Sequence, residues 1–132
     1  MATNCAAGVC EPERTQGIIA PAAAGTHVLV HLKGPGVFVG AECVKQGGTT
    51  NLTFVVLDLD GRNVTNVSYA AAENGGLTQQ NPYGLVLLRT SSLKNLTVGF
   101  PTPLRYEREL KLSVVVNEPG VVQVLANVIH GK

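Results

Sequence analysis

Residues 107–116 read ERELKLSVVV, an alternation with a period of two. Leu110, Leu112, Val114 and Val116 fall on one face, and Glu109, Lys111, Ser113 and Val115 on the other. A strand with one buried face satisfies that pattern and a helix does not. Glu118-Pro119-Gly120 follows, with proline and glycine in the two central positions of a type II turn. Residues 121–130 (VVQVLANVIH) then return as a partner strand. The same rhythm governs the rest of the chain. Strands are expected over residues 15–20, 27–32, 37–46, 51–59, 62–70, 84–90 and 93–100. Between them stand Pro21, Lys33-Gly34-Pro35-Gly36, Gly47-Gly48, Asp60-Gly61, Ser91-Ser92 and Pro101-Thr102-Pro103.

Eight or nine short strands with no long helix make an all-β chain. The expected architecture is a jelly-roll-like or Greek-key β-sandwich of about eight strands. Asp60-Gly61 is a dipeptide that closes a two-residue hairpin. In the strand after it, Val64 and Val67 break the alternation, which points to a β-bulge. Gly40 marks another bulge or a close approach. Residues 71–81 read as a loop or one helical turn. In residues 27–32 the period puts Val28, Val30 and Leu32 on one face and His27, Leu29 and His31 on the other. Several outer positions, namely Leu29, Val55, Leu57, Leu125 and Ile129, are also apolar. Either loops cover these faces or subunits do.

At 132 residues the chain is one domain, large enough to fold without a metal or a disulfide framework. Ahead of the sandwich domain (residues 15–132) lies MATNCAAGVCEPER, residues 1–14, which has no usable period. It is read as an extended, cysteine-bearing N-terminal arm. Charged residues are only 14% of the chain, against roughly 25% in an ordinary domain, so Thr, Asn, Gly and Ser or neighbouring subunits must cover the surface. The net charge is +1 with no run of Lys or Arg, which argues against nucleic acid as a partner. No stretch approaches the ~20 apolar residues that span a bilayer, so no membrane partner is expected. Met1 is not followed by a basic region and an apolar core, so synthesis in the cytosol is expected.

No constellation points to catalysis, a cofactor or a metal. Cys5, Cys10 and Cys43 are an odd count. They are either three reduced thiols or a crosslink from the arm to Cys43 or to a neighbouring subunit. The Cys5/Cys10 spacing lies at the loose end of zinc motifs and lacks a second ligand pair. His27 and His31 share a strand face but stand ~13 Å apart, too far to share one ion; His130 is remote in sequence. Asp58 and Asp60 lack the remaining ligands of a calcium loop. An enzyme would need a site around Cys43 or the histidines, and no serine-nucleophile or phosphate-loop motif accompanies them.

The run NLTFVVLDLDGRNVTNVSYAA, then PLRYERELKLSVVV and a final VVQVLANVIHG, resembles the small β-sandwich virion proteins of tailed bacteriophages, including capsid-decorating proteins. The likeness spans residues 26–131 and is one of strand layout. It implies a non-enzymatic structural protein, a capsid decoration or a head or tail accessory. Such a protein is made in the host cytoplasm, resides in the virion, and contacts copies of itself or other virion proteins through its arm and apolar faces. The arm cysteines depart from the pattern and imply covalent locking through Cys5, Cys10 or Cys43. The alternative is a β-sandwich module that binds a cell-surface or carbohydrate ligand with loops at one end, residues 71–81 and Tyr83. The lack of Trp speaks against sugar stacking.

Overall fold

The computed structural model describes residues 5–6, 8–79, 84–89 and 93–132. Among them the chain forms β1 (Cys5–Ala6), β2 (Val9–Cys10), β3 (Glu13–Ile19), β4 (Gly25–Lys33), β5 (Gly36–Gly47), β6 (Thr53–Leu59) and β7 (Arg62–Ser68). It continues as α1 (Tyr69–Asn74), β8 (Leu85–Arg89), β9 (Leu93–Tyr106), β10 (Glu109–Val116) and β11 (Val121–Gly131). One sheet has the order β4-β10-β6-β7 and the other β3-β11-β5-β9-β8. All pairings are antiparallel. In each sheet an early strand lies beside a late one, β4 with β10 and β3 with β11. With β8 set aside as an added edge strand, these are the strand orders of an eight-stranded jelly roll.

The core forms where the two inner faces meet. Leu110, Leu112, Val114 and Val116 of β10 are fully buried, as their period requires. They share one cluster with Val124, Ala126 and Val128 of β11 and with Phe38, Leu96 and Tyr69. Val55 and Leu57 sit directly opposite Val114 and Leu112, so they point inward and belong to the core. That corrects the expectation that they face outward; Phe54, Val56 and Asp58 take the outer positions.

Turn chemistry follows the sequence closely. Asp60 and Gly61 both have positive φ, 53° and 78°, and close the β6–β7 hairpin with two residues. The Asp60 carboxylate accepts the backbone N–H groups of Glu107, Arg108 and Glu109 at 2.9, 2.7 and 2.9 Å. Those bonds tie the hairpin to the β9–β10 corner and hold the carboxyl below its ordinary range. Gly120 has φ 81°, as the third residue of a type II turn must. The β7 bulge falls at Val64, skipped between the Leu57–Thr65 and Asp58–Asn63 pairs.

Three further details depart from the sequence reading. A bulge at Leu29, between the Val30–Leu112 and Val28–Ser113 pairs, reverses the alternation in β4. Val28 is therefore exposed, and Leu29 packs against the core. The chain leaves β7 at Ser68, whose Oγ caps α1 by accepting the Ala71 N–H at 2.9 Å. α1 places Glu73 against Arg89 of β8 and, at 3.0 Å, Lys94 of β9. Finally, Pro101-Thr102-Pro103 does not end a strand. β9 runs on to Tyr106, with Phe100–Pro103 looped out opposite the single residue Val39, where prolines forfeit no ladder bond. Ser91-Ser92 and Tyr83 lie outside the described residues.

Candidate functional site

The outer face of the five-stranded sheet carries the most developed surface feature. Direct register across the sheet aligns Arg14, Ile129, Gly40 and Gly99 in one row. Gly84 adjoins this row by accepting the Gly99 N–H at 2.8 Å. Three glycines from neighbouring chain segments thus leave one end of this row without side chains. A Cβ on Gly84 would run into the Gly99 carbonyl, so that close approach requires glycine. The looped-out Phe100 and Pro101 form one wall, and the next row, Asn127–Glu42–Thr97–Val86, forms the other. The result is a groove of 730 Å³ with Arg14 and Ile129 at one end.

Glu42 lies in the polar wall. Asn127 Nδ2 donates to its Oε1 at 2.9 Å and Asn95 Nδ2 to its Oε2 at 3.0 Å. The two amides, with Arg14 nearby, hold the carboxyl below its usual range although partial burial opposes them. Both carboxylate oxygens are engaged. The Oδ1 atoms of Asn95 and Asn127 are buried and accept no hydrogen bond from the described residues. Beyond this wall the third row is mostly apolar: Ile18, Leu125, Val44, Asn95 and Leu88. The face as a whole suits contact with a large, weakly charged surface.

The cysteines stand elsewhere. Cys5 and Cys10 are opposite each other in the β1–β2 hairpin and form a disulfide, with Cα atoms 3.9 Å apart. Cys43 is enclosed in the core, where burial pushes its thiol up to about 12. The structure therefore contains neither three free thiols nor a bond from the arm to Cys43. Residues 8–14 do not extend away from the domain. Cys10 and Lys132 exchange backbone hydrogen bonds at 2.8 and 2.7 Å, and Glu13 and Arg14 already belong to β3.

The histidines are not brought together. His27 Nε2 donates to the Ala23 carbonyl at 2.7 Å, and His31 Nε2 pairs with Glu109 at 2.8 Å. His130 is buried beneath Thr15, with Oγ1 at 2.7 Å. Among the described residues no group of three His, Cys, Asp or Glu side chains is placed to hold a metal ion. No helix there is long and apolar enough to cross a membrane. The groove was not readable from spacing, since it depends on the register of β5, β8 and β9; Gly40 was the one local signal.

The chain matches no protein-family model and no curated protein sequence. Its class accordingly rests on fold and surface: an antiparallel jelly roll with a grooved, weakly charged outer face on its five-stranded sheet.

Proposed function

We propose that the chain is a non-enzymatic structural protein of a phage particle, a capsid decoration or a head or tail accessory. It docks on copies of itself or on another virion protein through the outer face of the five-stranded sheet. The observation that carries this reading is the composition of that face. Ile18 is 57% and Leu88 52% exposed, Leu125 and Val44 lie between them, and the central carboxylate is masked by two amides. Such a face is costly to leave in water and inexpensive to desolvate. Jelly rolls recur in viral capsid proteins. The disulfide-closed hairpin is the second contact element, and the virion is the destination.

Light scattering over a concentration series tests the reading. A discrete multiple of 13.8 kDa is expected, with or without reductant, because Cys5 and Cys10 are satisfied within the chain. A monomer at all concentrations that also fails to bind purified particles overturns it.

The buried, half-satisfied Asn127 beside Arg14 favours a second reading, a binding module for a polar ligand such as a carbohydrate. In that case the ligand lies in the sheet-face groove. The end loops expected from sequence are a poorer candidate, and Tyr83 lies outside the described residues. A glycan array without hits removes it.

A further inference from the structure

The interior holds a polar cluster that the packing of a sandwich does not require. Lys45 on β5 is 1% exposed and Glu118, which opens the β10–β11 turn, 4%. Lys45 Nζ donates to Asn51 Oδ1 at 2.8 Å and to the Gly47 carbonyl at 2.8 Å, and lies 3.4 Å from Glu118 Oε2. The Tyr69 ring centroid is 5.3 Å away. Glu118 Oε1 accepts the N–H groups of Thr50 and Asn51, and Oε2 accepts the Thr53 hydroxyl at 2.6 Å. A Cβ on Gly48 would strike Glu118 Oε1, so the cluster is packed tightly from that side.

An amine and a carboxylate are thus held together away from water, with a partly buried carboxamide in contact with the amine. Burial pushes the Lys45 ammonium below the usual lysine range, toward the nucleophilic amine. Burial also works to raise the Glu118 carboxyl, but the Thr53 hydroxyl, the Lys45 charge and the Asn51 backbone N–H outweigh it and hold the carboxyl below its ordinary value.

We propose that Lys45 and Asn51 become joined by an intramolecular isopeptide bond that forms after folding, with Glu118 as proton carrier. Glu118 takes one proton from the Lys45 ammonium. The freed Nζ lone pair attacks Asn51 Cγ, the atom next to the oxygen it already contacts, and a C–N bond forms. Glu118 passes its proton to the amide nitrogen, then accepts a second proton from Nζ. The Cγ–Nδ2 bond breaks and ammonia departs, leaving as ammonium with that last proton, so the carboxylate is restored. No oxidant or cofactor is consumed. Fixing the two groups in contact supplies the effective concentration that an uncatalysed amide exchange lacks. The product ties β5 of one sheet to the segment entering β6 of the other, a covalent clasp between the layers.

Mass spectrometry of the full-length protein, denatured, reduced and digested with trypsin, tests this. An acylated lysine resists trypsin. The expected product is residues 34–62 as a single peptide, uncut after Lys45 and lighter than its sequence by one ammonia. Cleavage after Lys45 into two peptides of full mass overturns the proposal. Ammonia loss with normal cleavage there also overturns it, because that marks a succinimide. The wild-type readout decides the bond whether or not variants fold. Glu118→Gln, checked for folding by circular dichroism, then decides the proton carrier. A folded, unlinked variant supports Glu118, and a folded, fully linked one removes it from the mechanism.

Discussion

At the scale of single residues, Glu42 shows how a charge is held on the outer sheet face that the proposal assigns to contact. Its two oxygens take one amide hydrogen each from Asn95 and Asn127, whose own side-chain oxygens accept no hydrogen bond from the described residues. That asymmetry separates two substitutions. In Glu42→Gln the new NH₂ group meets one asparagine amide, and that asparagine relieves the clash by flipping to present its Oδ1. Glu42→Ala has no such remedy and leaves both amides without an acceptor, at about 1–3 kcal/mol for each buried group. Urea denaturation is expected to rank wild type above Glu42→Gln and Glu42→Ala last. The pH dependence has a definite sign. The folded pKa lies below the ordinary 4.5, so the contribution is fully present above 4.5 and is lost as pH falls through the folded value. Glu42→Gln should flatten that part of the acid limb; an unchanged limb would mean that Glu42 is not selectively stabilised as an anion.

At the scale of elements, what was legible was whatever depends on local chemistry. The β10 period, the Asp60-Gly61 hairpin, the Gly120 turn and the Val64 bulge are each set by a few neighbouring residues. What was not legible depends on partners. The Leu29 bulge is defined only against β10, and the passage of β9 through two prolines only against β5. The groove needs three glycines on separate chain segments to align. The N-terminal hairpin belongs with these, because Cys10 reveals its place only by bonding to Lys132 at the other end of the chain. Its disulfide closes a loop with a sequence separation of 5, which limits its stabilisation to about 2 kcal/mol on loop-closure grounds. Reduction is therefore expected to lower the main melting transition by no more than about 7 °C. Hydrogen exchange should quicken at Cys10 and Lys132, while Val124, Ala126 and Val128 in β11 keep their protection. A large drop in melting temperature on reduction would show that the hairpin is integral to the sandwich.

At the scale of the whole molecule, the jelly roll has two outer faces, and the assembly reading assigns contact to one of them. Ile18, Leu125 and Val44 lie side by side across three strands of the five-stranded sheet, next to the groove. The four-stranded sheet also exposes Val28, but its outer face carries His31, Lys111 and Asp58 in adjoining positions and so is better suited to water. A lysine placed on each face separates the two. Ile18 is 57% and Val28 53% exposed, so Ile18→Lys and Val28→Lys are both expected to fold with stability within about 0.5 kcal/mol of wild type. Ile18→Lys puts a charge into the proposed contact, where it must be desolvated without a partner, and the assembly should dissociate toward the 13.8 kDa protomer. Val28→Lys should assemble as wild type does. The reverse result would move the interface to the four-stranded sheet, and indifference to both would leave the grooved face to a small ligand.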